Sequence, residues 1–456
     1  MPRDKSQERW AVVGGGFLGM TLALRLAQQG KEVSLYEASP TLGGLASAWQ
    51  LGDIVWDRHY HVILSSDFWL RSLLRDLNLE GEIRWQKVRT GFYVDSQLYS
   101  MSNALEFLRF PPLNLVDKMR LAATIFRAAS IKDWKFLENI YVQDWLEKWS
   151  GSRVVNKIWL PLLRAKLGES YRDTSAAFIW ATIARMYAAR RNNMKTELFG
   201  YVAGGYARIT QRFERALRQH GVVFRLGQAV RVITSKGVSG VTVELANGSS
   251  ECFDHAIVTT PAPLAARLCP QLTPSERNRL RNIKYQGIVC ASLLLDQPLS
   301  DFYITNITDS RVPFTGVIEM SSLVDRSYFG GRALVYLPKY VCSDSDAFTL
   351  TEDQIREDIV SALEKMYPAF RRDHVNCFRV SRVRYLLPIP TINYSARLPE
   401  VNTSVPGLHI LNSAHIVNGT LNINETVQLA ESNARKFAKI VPFPKSSNYE
   451  LTASNR

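Results

Sequence analysis

The sequence lacks the cysteine patterns that mark disulfide frameworks and metal centres. Its 456 residues include only five cysteines, and these are scattered through the second half of the chain. None belongs to a Cys-x-x-Cys pair or to a spacing typical of metal ligands, so no metal site is predicted. Unpaired cysteines are usual in a reducing compartment, and the expected location is therefore the cytoplasm.

Long apolar runs and dense basic runs are also missing. No apolar run approaches the roughly 18 residues that a membrane-spanning helix needs. The net charge of +14 would suit nucleic acid, an anionic membrane surface or an anionic substrate. Because there is no compact Lys/Arg run, nucleic acid is not expected as a partner. Basic residues punctuate an apolar helical region at 105–148, which indicates either a solvated helix face or peripheral contact with an anionic membrane.

Three spaced glycines near the start of the chain form the strongest motif. An apolar strand pattern runs into Gly14, Gly16 and Gly19, a helix pattern follows, and a second apolar run ends at Glu37. In such a unit the first glycine permits a tight turn, the second lets a pyrophosphate approach the backbone, and the third allows close helix–strand packing. The helix N-terminus would face the phosphates, and Glu37 is placed to bind a ribose. The pattern predicts a dinucleotide site.

A second glycine pair, Gly43 and Gly44, follows the ribose-binding acid. This pair is typical of flavoproteins that bind extended FAD. With it, the sequence resembles the family of FAD-dependent amine oxidases and protoporphyrinogen oxidases, which has carotenoid desaturases and UDP-galactopyranose mutases as relatives. The resemblance implies FAD as cofactor and an α/β fold, in which a Rossmann-like FAD-binding domain is interleaved with a discontinuous α+β substrate domain. The expected limits are 1–67, 199–263 and 401–445 for the FAD-binding domain, 68–198 and 264–400 for the substrate domain, and 446–456 for a polar tail.

The resemblance also implies further cofactor contacts. The backbone near Val230 would meet the adenine. Asn412 and Ser413 stand where relatives usually have Gly-Asp, so hydrogen bonding to the ribityl chain is retained but a carboxylate is lost. Glu425 and Thr426 open the closing helix, whose positive end would face the flavin.

A dense polar cluster at Arg58, His59 and His61 is the candidate catalytic group. A core strand does not tolerate such residues without partners. In an extended run the two histidines share a face, and in relatives this segment passes beside the isoalloxazine ring. The cluster indicates substrate contact or proton handling at the flavin; the alternative is a structural histidine pair.

The predicted function is an FAD-dependent oxidoreductase that moves a hydride from a C–N or C–C bond to flavin N5. There is no second Gly-x-Gly-x-x-Gly motif, which argues against a separate nicotinamide domain. The expected partner is a small-molecule substrate, which the basic net charge allows to be anionic. Two alternatives remain open: a non-redox flavoenzyme of the UDP-galactopyranose mutase type in polysaccharide biosynthesis, and a flavin-binding protein without turnover.

Overall fold

The computed structural model describes residues 8–190, 198–235, 240–417 and 421–437. The predicted polar tail at 446–456 and the predicted domain end at 445 lie outside these residues. The strands are β1 Arg9–Val13, β2 Glu32–Glu37, β3 Ala48–Leu51, β4 Ile54–Asp57, β5 Ile63–Leu64, β6 Ile83–Lys87, β7 Arg89–Val94, β8 Gln97–Ser100, β9 Leu198–Val202, β10 Val223–Leu226, β11 Val230–Ser235, β12 Val241–Leu245, β13 Ser250–Phe253, β14 His255–Val258, β15 Tyr285–Leu295, β16 Phe302–Ile307, β17 Gly316–Glu319, β18 Ala333–Cys342, β19 Val375–Pro388 and β20 Leu408–Ile410.

The helices connect these strands and form a block of their own between β8 and β9. None of the described helices combines the length and the apolar character that crossing a bilayer requires. They are α1 Phe17–Gln28, α2 Phe68–Asp76, α3 Ala104–Arg109, α4 Leu115–Ser130, α5 Val142–Ser150, α6 Ser152–Val154, α7 Leu160–Leu167, α8 Ala176–Arg190, α9 Gly205–Gln219, α10 Ala262–Leu268, α11 Pro274–Arg281, α12 Glu352–Met366, α13 Tyr394–Arg397 and α14 Ile423–Phe437.

A parallel sheet carries the first glycine motif. Its strand order is β10-β2-β1-β14-β20, and every neighbouring pair runs parallel. The strands are apolar on both faces because both faces are covered. Val12 and Leu35 pack with α1, α9 and α14 on one side, whereas Ala11 and Tyr36 pack with the β11–β13 sheet and α10 on the other. This sheet draws strands from three distant chain segments, and the architecture confirms the predicted α/β fold class.

A second, larger sheet lies beside the first, in the order β19-β15-β18-β17-β16-β7-β8. Every residue of its long strand β15 is buried. Alternate residues serve opposite faces: Val289 and Leu293 pack toward α12, while Ile288 and Cys290 face the β3–β4 hairpin and residues 60–64. The second face therefore looks toward the part of the chain that carries the polar cluster.

The strands β6 and β16 have partners that are distant in sequence. The sequence at 68–192 suggests mainly helix, yet β6 lies within it and pairs with β9. The strand β16 pairs in parallel with β7, which is more than 200 residues away in sequence. Both strands depend on distant partners, and local apolar periodicity carries no information about such partners.

A buried ion pair joins the helices that cover the parallel sheet. The Arg25 guanidinium on α1 lies 2.7 Å from the Glu431 carboxylate on α14 and 2.5 Å from that of Asp76 at the end of α2. The Arg25 and Glu431 side chains are each only 8% exposed. Because water is excluded, each charge depends on its partner for solvation.

We expect Arg25→Met to lower the free energy of unfolding by about 3 kcal/mol, because it leaves the Glu431 carboxylate buried without its cation. The measurement is a urea titration. The matched control is Arg218→Met, which breaks an exposed pair with Glu214 within α9 and should lower it by less than about 1 kcal/mol. Equal losses in the two variants would contradict a buried role for Arg25.

Candidate active site

The turn after β1 is built from glycines because the backbone itself fills the space. Gly14 has a φ of +118°, and a Cβ on it would lie 2.3 Å from Thr259 Oγ1. A Cβ on Gly19 would lie 1.9 Å from the Gly14 carbonyl oxygen. Thr259 fixes the crossing by donating its backbone N–H and its hydroxyl to Val13 O. These two glycines therefore serve the packing of α1 on β1, as the motif predicts.

Gly16 has a different role, because a Cβ on it would meet no atom within 4 Å. The second glycine pair closes on this point: Gly43 N–H donates to Gly15 O at 2.9 Å, and a Cβ on Gly44 would lie 3.1 Å from Gly16 Cα. Helix α1 begins after Gly16 with no side-chain cap and no acid in its first turn. The result is a cradle without side chains beside a helix N-terminus, which fits a diphosphate.

The Glu37 side chain forms hydrogen bonds with the backbone of this cradle. Its carboxylate accepts the backbone N–H groups of Gly15 at 2.7 Å and Ser39 at 2.8 Å. A carboxylate can accept further hydrogen bonds, so the ribose contact stays a prediction. Gln228 N–H donates to Glu37 O at 3.1 Å. This bond brings the start of β11, where Val230 lies, to the end of β2, although no contact in the structure tests the predicted adenine role.

Asn412 and Ser413 follow β20 at the same edge of the parallel sheet. Leu411 N–H donates to Val258 O, and Asn412 is fully buried. Asn412 Oδ1 accepts Ala414 N–H, but its Nδ2 group is buried without any hydrogen-bond partner. An unsatisfied buried amide is unfavourable, and an oxygen-rich ligand would relieve it. The glycine cradle and this orphaned donor fit the diphosphate and polyol parts of FAD.

Glu425 and Thr426 lie at the start of α14, as predicted, but each has a local partner. Glu425 N–H donates to Asn422 Oδ1, and the Thr426 hydroxyl donates to Asn422 O. Burial raises the pKa of the Glu425 carboxyl. Between them, Asn424 uses its side-chain oxygen to accept N–H groups at the start of α2. No described hydrogen bond joins Glu425 or Thr426 to the glycine cradle.

The polar cluster bends where the sequence predicted an extended run. Residues 58–59 form a bend between β4 and β5. Arg58 N–H donates to Ser47 O, just past the second glycine pair, and His59 Nε2 lies 3.2 Å from Ser381 Oγ on β19. The His61 ring instead packs on Tyr206 with ring centroids 4.8 Å apart, and its Nδ1 meets His59 O. The expected shared face is wrong, because the bend gives each imidazole its own surroundings.

Burial decides the charge of this cluster. It lowers the pKa of His59 to about 3, with help from His61 and Arg58, and lowers that of His61 to about 4. Both rings are therefore neutral near pH 7, and His59 Nδ1 is buried without a partner. Arg58 supplies the positive charge: its guanidinium lies 5.5 Å from the Trp49 ring centroid and forms no ion pair within the described residues. The cluster can hydrogen-bond and attract an anion, but it has no imidazolium acid.

Asp57, which precedes the three candidate catalytic residues, is also a member of this site. Its carboxylate accepts Tyr206 N–H at 2.7 Å, at the N-terminus of α9. Gly205 has to be glycine, because a Cβ on it would lie 2.7 Å from Asp57 Oδ1. Asp57 and His61 line one small cavity together with Met320. The signal was available as the Gly204-Gly205 pair before a helix, which marks a close approach of another group.

The facing sheet and α7 add polar groups to this site, of which Gln286 and Tyr340 are not predicted from the sequence. The hydroxyls of Tyr60 and Tyr340 lie 2.7 Å apart, and Lys166 Nζ lies 5.3 Å from the Tyr340 ring centroid. Burial raises the pKa of Tyr60 well above its ordinary range, with Tyr340 as a further cause. Gln286 is fully buried with neither side-chain amide atom paired. No local motif distinguishes these residues, because the sheet register brings them to one face.

We expect Gly19→Ala and Gly16→Ala to separate folding from cofactor binding. Gly19→Ala should lower the free energy of unfolding by at least about 3 kcal/mol, since its Cβ meets rigid backbone. Gly16→Ala should change it by less than about 1 kcal/mol, because its Cβ enters open space, but should weaken FAD binding. Thermal unfolding and FAD titration of the apoprotein are the measurements. Unchanged FAD affinity in Gly16→Ala would contradict the cradle.

Asp57 should make stability depend on pH. Burial raises its pKa from 3.8 to about 7, so folding favours the protonated carboxyl. The stabilising contribution is complete below pH 3.8 and is lost as the pH rises toward 7. Asp57→Asn keeps an acceptor for Tyr206 N–H. We expect its melting temperature to fall less between pH 4 and pH 7.5 than that of the wild-type protein. Parallel melting curves for the two proteins would show that Asp57 is not buried as an acid.

Known proteins resemble this chain in both sequence and fold. The sequence model of the family described as flavin containing amine oxidoreductase matches residues 19–423. A zeta-carotene desaturase from Synechocystis sp. is 26% identical over 285 residues, covering 57% of this chain and 57% of the desaturase. The match thus spans little more than half the length of that curated relative.

Solved structures show the same fold. A protein from Exiguobacterium sp. 255-15, provisionally assigned as a protoporphyrinogen oxidase, has a TM-score of 0.75 at 16% identity, covering 95% of this chain and 99% of that one. Putrescine oxidase with bound putrescine has a TM-score of 0.72 at 17% identity, with coverages of 95% and 99%. At these identities the likeness concerns the fold alone. The family match across most of the sequence shows that the chain belongs to the flavin-containing amine oxidoreductases, and it confirms the predicted family and its FAD cofactor.

Proposed function

We propose that this protein is an FAD-dependent oxidoreductase that oxidises a C–N or C–C bond of a small-molecule substrate. When bound, FAD supplies the hydride-accepting chemistry. One observation carries the proposal: the segment 57–61 connects the glycine cradle to the large sheet. On the cradle side, the Arg58 backbone N–H donates a hydrogen bond to Ser47 O. On the sheet side, His59 Nε2 forms a hydrogen bond with Ser381 Oγ. A substrate held against this segment would lie between the two.

The residues of the segment would bind and orient the substrate. Arg58 would attract an anionic group, because its charge has no protein carboxylate to neutralise it within the described residues. The Tyr60–Tyr340 pair and the unpaired amide of Gln286 offer hydrogen bonds to a polar group on the sheet side. The neutral ring of His59 can donate or accept at its unpaired Nδ1. This arrangement supports a substrate with an anionic or polar end.

Water would be excluded by the apolar walls around these groups. The large sheet and the β3–β4 hairpin bury Trp56, Ile288, Leu294 and Leu334 in one cluster beside the tyrosines. In such surroundings a hydrogen bond or charge contact is stronger than in water. The few polar groups present therefore determine which substrate orientation is stable.

The two alternatives lack a specific supporting contact in the part of the chain that the structure describes. A mutase would need groups for a sugar diphosphate, and the Arg58 cation alone does not distinguish that ligand from other anions. For location, we propose the cytoplasm with peripheral contact to a membrane surface, which is supported by the dispersed cysteines and the basic, apolar region at 105–148.

The test is anaerobic mixing of the FAD-loaded protein with three probes: protoporphyrinogen, zeta-carotene and putrescine. We expect loss of flavin absorbance with the anionic porphyrinogen rather than with cationic putrescine, because Arg58 attracts the one and repels the other. Arg58→Gln should raise the apparent KM for porphyrinogen by about tenfold or more, with partial recovery in Arg58→Lys.

Arg218→Gln is the control for this experiment, since Arg218 lies on the exposed side of α9 and pairs with Glu214. FAD absorbance should be the same in all four proteins. A protein that binds no FAD, or bound flavin that none of the three probes reduces, would contradict the proposed function.

A further inference from the structure

Helix α4 turns an apolar stripe toward solvent. Leu115, Met119, Ala122 and Phe126 recur at spacings of four, three and four, which places them on one side of the helix. Leu115 and Phe126 are 64% and 66% exposed. A stripe of large apolar side chains with this much exposure is typical of a surface that contacts a membrane, a ligand or another protein.

The orientation of α4 is fixed by polar contacts on its buried side. Asp117 is buried and forms an ion pair with Arg153 at 3.1 Å. Lys118 is also buried, and its Nζ donates to Leu108 O at 2.6 Å, which ties α3 to α4. Rotating the helix to bury the apolar stripe would break these contacts, and no other contact would replace them. The exposure is therefore a property of the folded chain.

Further exposed apolar side chains lie close to the stripe along the chain. Eight of the eleven exposed large apolar side chains among the described residues lie between positions 105 and 141. We call these eight the apolar face: Leu105, Leu108, Leu115, Val116, Met119, Phe126, Phe136 and Tyr141. Its members come from α3, α4 and the segment before α5, so three consecutive stretches of chain contribute to it.

The exposed charges around the apolar face are mostly positive. Between residues 104 and 148 the exposed bases are Arg109, Arg120, Arg127, Lys132, Lys135 and Lys148, whereas the exposed acids are Asp133, Asp144 and Glu147. A second copy of the chain would bring like charges together, which disfavours self-association through this face. Apolar side chains surrounded by bases are complementary to a bilayer with anionic headgroups.

We propose that the apolar face is a docking surface for an anionic lipid bilayer, with α4 lying in the plane of the membrane surface. Phe126, Met119 and Leu115 enter the acyl boundary, and Arg120 and Arg127 meet the headgroups. The inference rests on the peripheral membrane contact proposed above and deepens it by naming the surface and the lipid charge, and it requires neither turnover nor a particular substrate. It assigns the partner of a surface on the helical block rather than a part of the active site.

The experiment is flotation of the FAD-loaded protein with vesicles of phosphatidylcholine alone or of phosphatidylcholine with phosphatidylglycerol. Wild type should float with the anionic vesicles and much less with the neutral ones. Phe126→Gln and Met119→Gln should each weaken binding about tenfold, because each removes a large apolar side chain from the contact. Arg120→Gln with Arg127→Gln should weaken binding to anionic vesicles about fivefold per residue.

Phe68→Gln is the matched control, because Phe68 is 53% exposed but lies outside the apolar face; it should bind like wild type. FAD absorbance confirms that each variant is folded, so failure of membrane binding is distinguishable from failure of the proposed reaction. Absence of flotation with anionic vesicles would overturn the proposal. So would equal binding by Phe126→Gln and wild type, or a lipid-free dimer in sedimentation that Phe126→Gln dissociates.

Discussion

The crossing of β1 and α1, where one backbone segment lies directly against another, is the constraint on which the rest of this structure depends. The Gly14 carbonyl occupies the space of a side chain at Gly19, and Thr259 closes the turn from the neighbouring strand. Because no side chain fits there, the chain can bring Gly43 and Gly44 against Gly16 and leave a cradle formed by backbone alone. Glu37 then binds the cradle amides from the adjacent strand. Three distant segments thus converge at one edge of a parallel sheet, as is general for nucleotide sites in such sheets.

The properties of the candidate active site depend on how its buried polar groups are solvated by the protein. Desolvation destabilises a buried charge, and the ionisable residues of the segment 57–61 avoid this cost in different ways. Asp57 accepts a helix amide and burial raises its pKa to about 7, the two histidines are neutral, and the Arg58 guanidinium lies beside the Trp49 indole. In the proposed function, the Arg58 and Lys166 cations and several neutral donors would select a substrate by the position of its negative charge. The surrounding aromatic and aliphatic side chains strengthen that selection by excluding water.

Local rules of sequence predict the fold class and the glycine turns. Helix Glu352–Met366 carries a local start signal, because Thr351 and Gln354 form a capping box at its N-terminus. The glycine motifs were predictable because their physical requirements are local. The bend at residues 58–59 was not, since it depends on Ser47 and Ser381, which lie elsewhere in the chain. Gln286 and Tyr340 became part of the site through sheet register, which a single sequence does not encode in any short pattern.

The contact between Arg25 and Glu431 has a consequence for how the protein is made. These residues are separated by 406 positions, so a nascent chain exposes the apolar side of α1 and lacks the contact between Arg25 and Glu431 until α14 leaves the ribosome. The parallel sheet is likewise incomplete until β20 has been synthesised. Folding of the parallel sheet therefore waits for segments about 400 residues apart to meet, and loop closure over such distances is slow. During synthesis this protein should depend on chaperones that shield its N-terminal segment.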